Sequence, residues 1–246
     1  MTSHASPSRI VGRALLVSND SVAVEQIASV MRKYAIFPEI CTHIPTALGM
    51  INTHKYEAVV VDLAFGEHVA HLLERVRFSA SNQNSVTFVI GDSVKHAAPP
   101  AQPNFIMPKP LSDTQVESTL RAALGLIIHE YRRYFRCSIA LPITIQIDDE
   151  IGVACEMINI SEGGLAVNTS IPFPVGAAAR VQFALPGESV GFDIQSEVCW
   201  SDHKGRAGLQ FRLSPSDQKS RLQDWLSRRI EQGLPAPIAR LFQKEE

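Results

Sequence analysis

The 246-residue sequence has no large excess of either charge and no long apolar run. Its 23 basic and 25 acidic side chains leave a formal net charge of -2, which excludes a protein held on nucleic acid by bulk positive charge. No apolar stretch approaches the roughly 20 residues that a transmembrane helix needs, and the polar residues 1–9 lack the apolar core of a secretory signal. We therefore expect a cytoplasmic protein with no membrane span and no nucleic-acid partner.

Cysteine is scarce, and two common kinds of phosphate-binding motif are missing. The four cysteines are scattered without a CxxC pair, which argues against a disulfide framework or a structural zinc site. Neither a P-loop nor a GxGxxG fingerprint is present. Glu67, His68 and His71 lie close together, but no further strong ligand at metal spacing accompanies them, so we interpret them as a polar helix face.

Residues 12–126 alternate short apolar runs with stretches of helical spacing. The runs Ala14–Val17, Ala58–Val61 and Val86–Ile90 are continuous, as in strands that are buried on both faces. The longest helix is predicted over residues 112–131. Strands that alternate with helices predict an α/β domain with a parallel sheet and helices on both of its faces.

The pattern changes to a period of two after about residue 136. Alternation over short segments, separated by Gly, Pro and Asp turns, predicts an all-β domain of antiparallel strands over residues 129–232, closed by a C-terminal helix after Ser214 and Pro215. The clearest alternating positions are Leu141, Ile143, Ile145 and Ile147, followed by Phe192, Ile194, Val198 and Trp200.

Charged and polar side chains follow the predicted strands of the first domain. Asn19 and Asp20 come after the first strand, Asp62 after the third, and Lys109 after the fifth. In an open parallel sheet these strand ends meet at one edge, where functional groups gather. Clustered carboxylates can hold Mg²⁺, an aspartate can form an acyl phosphate, and a lysine can neutralise phosphoryl oxygens.

This arrangement resembles the response-regulator receiver domain, a flavodoxin-like α/β fold. The matching pieces are Leu15–Asp20, Val60–Leu63 and Lys109–Pro110. The resemblance implies that Asp62 stands at the phosphoacceptor position. It also implies that Asn19 and Asp20 stand at the acidic metal pair, with Lys109 completing the pocket.

The sequence also departs from the receiver pattern. Asn19 replaces one acid of the metal pair, Gly91 stands where the family carries a hydroxyl, and Ile106 stands where it carries an aromatic switch residue. Three prolines within residues 93–104 predict that the fourth helix of the family is short or absent. We therefore expect a degenerate receiver that does not bind Mg²⁺ in its pocket. Phosphorylation of Asp62 is the alternative.

An arginine cluster lies where the long helix meets the first barrel strand. Tyr131–Arg136 contains three arginines interleaved with aromatics, and an arginine can donate two hydrogen bonds to a phosphate or stack on a base. Farther along, Asn159 and Ser161 precede a pair of glycines, which permit a tight turn. The alternative reading is a solvated helix end followed by an ordinary turn.

Taken together, the two clusters resemble the motifs of the PilZ domain, a receptor for cyclic di-GMP. The first motif, RxxxR, falls on Arg132 and Arg136 with Arg133 beside them, and the second, [D/N]xSxxG, falls on Asn159, Ser161 and Gly164. The resemblance covers about residues 129–230 and implies a six-stranded barrel. It implies that the arginines bind phosphate and stack on guanine, while the second motif reads the guanine edge.

These resemblances predict a bacterial cyclic di-GMP receptor without enzymatic turnover. Ligand closure of the Arg132–Arg136 segment would rotate one domain against the other and change a surface that engages an unknown downstream protein. One alternative is a phosphorylation-driven response regulator in which the PilZ barrel serves as an interaction module. Another is a structural adaptor that binds neither ligand nor phosphate. The oligomeric state stays open, and a homo-oligomer is compatible with the sequence.

Overall fold

The computed structural model divides the chain into two compact units. Residues up to Arg132 belong to the first unit, and Arg133–Glu231 form the second. The boundaries at 12–126 and 129–232 remain predictions, and the predicted proline-rich loop falls mostly on residues 92–101, outside the described residues. The described ranges are 12–91, 102–148, 152–202, 204–213 and 216–232.

The first unit is built on a five-stranded parallel sheet in the order β2-β1-β3-β4-β5. This is the flavodoxin-like strand order, so the predicted receiver-like α/β fold is confirmed. Its strands are β1 (Gly12–Val17), β2 (Ile36–Cys41), β3 (Ala58–Asp62), β4 (Val86–Ile90) and β5 (Phe105–Met107). Its helices are α1 (Ser21–Lys33), α2 (Ile44–Thr53), α3 (His68–Phe78) and α4 (Asp113–Tyr134).

The three inner strands carry apolar side chains on both faces because each face is covered by helices. All five residues of β3 and of β4 are buried, and the two faces contact separate apolar clusters. The strand order places β1 beside β3. The carboxyl ends of these two strands, where the chain order of the sheet reverses, are the usual ligand site of such a fold.

Helix α4 ends later than the sequence predicts. Its apolar stripe from Val116 to Ile128 packs into the core of the first unit, and the helix then continues through Tyr134. Arginine is a good helix former, and neither Gly nor Pro follows Tyr131 to stop the helix. Arg132 and Arg133 therefore lie in the last helical turn, not in a loop.

The second unit is a closed barrel of six antiparallel strands in the order β10-β11-β8-β7-β6-β9. The predicted six-stranded barrel is thus confirmed, and side chains of one parity on each strand fill its interior. The strands are β6 (Cys137–Ile147), β7 (Val153–Ser161), β8 (Gly164–Asn168), β9 (Ala178–Phe183), β10 (Phe192–Ser201) and β11 (Arg206–Leu213).

Trp200 does not share the interior side of β10 with Phe192, Ile194 and Val198. The pairing of β10 with β11 shifts register between Val198 and Trp200, and the indole side chain is 44% exposed. A bulge adds one residue and reverses the facing of the residues after it. The expectation that Trp200 continues the buried alternation was therefore wrong.

A final helix, α5 (Ser216–Glu231), closes the second unit. Its buried stripe consists of Leu222, Trp225, Leu226 and Ile230, as the helical spacing predicts. The predicted start at Ser214 and Pro215 lies outside the described residues. Within the described ranges, no helix combines the length and the apolar character that crossing a bilayer requires.

Candidate functional site

The strand ends of the first unit bring Asp20, Asp62 and Lys109 into one cluster. Lys109 Nζ donates to Asp20 Oδ2 at 2.9 Å and to Asp62 Oδ2 at 3.0 Å. The Asp62 side chain is only 2% exposed, whereas that of Asp20 is 38% exposed. Three of the four pocket residues picked from the sequence are therefore in contact. The fourth, Asn19, is exposed beside them.

Sequence reasoning missed Ser18, which completes this cluster. Its buried hydroxyl donates to Asp62 Oδ2 at 2.7 Å, and the Asp62 Oδ1 atom accepts from the backbone N–H of Ala64 at 3.0 Å. Asp20 Oδ1 accepts from two backbone N–H groups and thereby caps α1. Each of the four carboxylate oxygens thus already accepts a hydrogen bond from the protein. Ser18 ends a hydrophobic run, and no motif in the sequence marks it.

The ion pairs of Lys109 with the two aspartates affect the pKa of Asp20 and of Lys109 itself. Hydrogen bonding from Lys109 holds the pKa of Asp20 below its ordinary value. Burial acts to lower the pKa of Lys109, but its bonds to the two aspartates outweigh burial and raise that pKa. Among the residues that the structure describes, no group of three or more His, Cys, Asp or Glu side chains is arranged to hold a metal ion.

In the second unit, Arg136 lies against the second motif. Its Nε donates to Asn159 Oδ1 at 2.8 Å, and its Nη1 lies 3.4 Å from the Ser161 Oγ. Ser161 is buried, and its hydroxyl donates to the Gly164 carbonyl at 3.0 Å. Burial lowers the pKa of Arg136 from its ordinary value. We call Arg136, Asn159, Ser161 and Gly164 the barrel cluster. A guanidinium group stays charged at neutral pH, so the barrel cluster carries a positive charge.

Strand register explains why these distant residues meet. Cys137 pairs with Ile160 and Ser138 with Asn159 in the β6–β7 ladder. Arg136 comes just before β6, so the antiparallel pairing carries it to the end of β7 where Ser161 lies. A register shift in β7 between Met157 and Asn159 accompanies this geometry, as bulges commonly do beside functional sites.

The glycine of the second motif has a structural reason. Ser161 and Gly164 form the last pair of the β7–β8 ladder, so Glu162 and Gly163 make the turn. A Cβ atom on Gly164 would collide with the backbone carbonyl of Leu209 in β11. Only glycine lets β8 approach β11 this closely, and that approach fixes the hairpin that carries Ser161.

Arg132 and Arg133 occupy the last turn of α4, ahead of the barrel cluster. Arg133 is exposed and Arg132 is half-buried. The structure therefore brings Arg136, Asn159, Ser161 and Gly164 together, while the first two arginines of the segment are held in a helix.

The comparisons with known proteins agree with this architecture. Residues 130–228 match the family model described as the PilZ domain. No sequence among curated proteins matches the chain.

Solved structures resemble each unit separately. The PilZ domain of CeSA from a cellulose-synthesizing bacterium is 18% identical, with coverage of 39% of this chain and 98% of that one and a TM-score of 0.34. The receiver domain of a sensor histidine kinase from Pseudomonas aeruginosa PAO1 is 14% identical, with coverage of 46% and 98% and a TM-score of 0.41. A putative response regulator from Chloroflexus aurantiacus is 22% identical, again with coverage of 46% and 98% and a TM-score of 0.41.

The match of residues 130–228 to the PilZ family model supports the expectation of a signalling protein. The family model spans the arginine segment, all six barrel strands and most of α5. Residues 130–228 form a PilZ domain, and it follows a domain with the receiver-like fold.

Proposed function

We propose that this chain is a receptor for cyclic di-GMP and that the barrel cluster, with Arg132 and Arg133, binds the dinucleotide. The observation that carries the proposal is the contact of Arg136 Nε with Asn159 Oδ1 at 2.8 Å. It joins the two halves of a motif pair that the sequence separates by a whole hairpin.

The chemistry of these residues fits a guanine dinucleotide. Arginine side chains supply planar, charged donors for the two phosphates and can stack on the bases. The amide of Asn159 can both donate to and accept from a guanine edge, and the hydroxyl of Ser161 can do the same. Gly164 contributes indirectly, because its lack of a side chain lets β8 approach β11 and so fixes the hairpin that carries Ser161.

Binding requires an exchange of hydrogen bonds at the barrel cluster. Arg136 donates to Asn159 and to Ser161, so an incoming dinucleotide takes over these donors and acceptors for its phosphates and guanine edges. The two phosphate charges also offset two of the three positive charges on Arg132, Arg133 and Arg136, which draws the segment onto the ligand. That charge neutralisation is the differential contact which a two-state switch needs.

The segment continues directly from α4, so we propose that its closure changes the arrangement of the two domains. The altered surface then regulates a downstream protein. The receiver-like domain acts in this scheme as a structural partner and not as a phosphoacceptor. Support for this role comes from Asp62, which is buried with both carboxylate oxygens already hydrogen-bonded.

Calorimetric titration of the full chain with cyclic di-GMP tests the proposal. We expect one saturable heat with a dissociation constant of about 1 μM or tighter, which corresponds to about -8 kcal/mol. GMP at the same concentration provides the control for a general phosphate effect. Heat of dilution alone up to high dinucleotide concentration would overturn the proposed function.

A further inference from the structure

The C-terminal end of α4 carries a buried acid in an unfavourable place. Glu130 is 2% exposed and lies near the negative end of the helix dipole, so both burial and the dipole act against its charge. Lys55, in the turn between α2 and β3, offsets these costs. Its Nζ donates to Glu130 Oε1 at 2.7 Å and to the Tyr56 carbonyl at 2.9 Å.

This ion pair extends the attachment of α4 by one turn. The apolar stripe of the helix is buried through Ile127 and Ile128, and Glu130 follows Ile127 by three residues on the same face. Lys55 is itself only 19% exposed in its side chain. The pair therefore fixes the helix to the first unit only two residues before Arg132 and six before Arg136.

We propose that the Lys55–Glu130 ion pair is the anchor through which ligand binding at the Arg132–Arg136 segment is transmitted to the receiver-like domain. This inference rests on the proposed function. A movement of the Arg132–Arg136 segment displaces the first domain only if the C-terminal end of α4 is fixed to that domain. Without the anchor, ligand closure unwinds the last helical turn and its effect stops there.

A buried ion pair is a weak source of stability but a good device for fixing one arrangement. Two buried charges lose their hydration, and apolar side chains of similar size often stabilise a fold as well or better. The requirement for one defined geometry explains the pair better than stability does. Lys55 and Glu130 are positioning residues in this scheme, because neither belongs to the barrel cluster.

Two variants break the anchor from opposite sides. Lys55→Gln leaves the sequence of α4 unchanged, and Glu130→Gln preserves side-chain size without leaving a buried carboxylate. The control is Glu117→Gln, which removes an acid of the same helix from an exposed pair with Arg121. A result shared by the first two variants and absent from the third belongs to the anchor.

The first readout needs no ligand. Hydrogen exchange at the amides of residues 130–134 should be about tenfold faster in both anchor variants, since exchange follows the free energy of local opening. The amides of residues 116–124 should exchange as in the parent protein, and Glu117→Gln should leave the helix end unchanged. Parent-like exchange at residues 130–134 in both anchor variants would overturn the anchor.

The second readout is the distance between the two domains with and without cyclic di-GMP. Cys199 is exposed while the other three cysteines are buried, so a spin label on Cys199 and one on Glu74→Cys in α3 report this distance by pulsed resonance. The parent protein should show a ligand-dependent shift. The anchor variants should still bind the dinucleotide, with the shift lost.

These outcomes distinguish a failure of the proposed function from a failure of the transmission through the anchor. A parent protein that binds no cyclic di-GMP overturns the proposed function and the transmission with it, while the exchange data still decide whether the ion pair holds the helix end. Anchor variants that bind the ligand and shift as far as the parent protein overturn the transmission alone.

Discussion

Leu63 occupies the space that a Cβ atom on Gly91 would need. A Cβ atom on Gly91 would lie 3.0 Å from both Cβ and Cδ1 of Leu63. The φ angle of Gly91 is +132°, a region that residues other than glycine rarely adopt. By the resemblance to receivers, Gly91 stands where that family carries a side chain with a hydroxyl group. Packing and backbone conformation thus both exclude that hydroxyl from the pocket around Asp62.

We predict that acetyl phosphate with Mg²⁺ labels Asp62 weakly or not at all. The nucleophilic oxygens of this carboxylate already accept bonds from Ser18, Ala64 and Lys109. Asn19 supplies no acid for a metal, and Gly91 supplies no hydroxyl for the phosphoryl group. Mass spectrometry of the intact protein after treatment gives the labelled fraction. Efficient, Mg²⁺-dependent labelling that disappears in Asp62→Asn would restore the phosphorylation-driven response regulator.

The buried acid Glu57 predicts that the free energy of unfolding depends on pH. Glu57 is 5% exposed, and its Oε2 accepts from the backbone N–H of Arg13 at 2.6 Å. Burial raises the pKa of Glu57 above its ordinary value, although the backbone bond and Lys55 oppose this. A group whose pKa is raised on folding contributes stability at low pH. That contribution is lost as the pH rises through the folded-state pKa.

Replacement of this acid by its amide removes the pH-dependent contribution. The free energy of unfolding of Glu57→Gln should therefore increase relative to that of the parent protein as the pH rises above about 4.3, where an ordinary Glu titrates. Urea unfolding at several pH values measures the difference. Glu25→Gln, at an exposed position of α1, is the control for the loss of a carboxylate as such. A constant difference across this range would mean that Glu57 titrates normally.

Most of the architecture follows from the sequence. Continuous apolar runs predict the buried parallel strands, and the period of two predicts the barrel, because burial on two faces or on one leaves different patterns. The contact between Arg136 and Asn159 also follows from motif spacing, once the intervening hairpin is assumed.

Other details depend on tertiary context. Trp200 turns outward because β10 shifts register against β11, and no local sequence signal marks that bulge. In the sequence, Ser18 is only the end of a hydrophobic run. In the fold, β3 places Asp62 Oδ2 2.7 Å from the Ser18 hydroxyl. The extension of α4 through Tyr134 is not marked in the sequence by any stop signal, and Glu130 near its end contacts Lys55 only in the folded chain.

Arg136→Ala should weaken cyclic di-GMP binding by about 1.5–3 kcal/mol, the usual range for hydrogen bonds to a charged group. The substitution also leaves the Asn159 carbonyl oxygen and the Ser161 hydroxyl without a donor that they now have. Calorimetry gives the affinity. Arg180→Ala is the control because Arg180 lies on β9, which pairs with neither β7 nor β8. Equal losses in the two variants would indicate a general charge effect, and an unchanged affinity in Arg136→Ala would place the ligand elsewhere.

The two adjacent glycines of the β7–β8 turn should respond very differently to substitution. A Cβ atom on Gly164 would meet the backbone carbonyl of Leu209, which no rotamer change can move away, whereas a Cβ on Gly163 has nothing within 4 Å. Gly164→Ala should therefore lower the free energy of unfolding by about 1–3 kcal/mol, as overpacking does. Gly163→Ala should leave it nearly unchanged. Chemical denaturation of both variants measures the contrast. Equal stabilities would mean that β8 and β11 separate without cost. The close approach that fixes Ser161 beside Arg136 would then not be required.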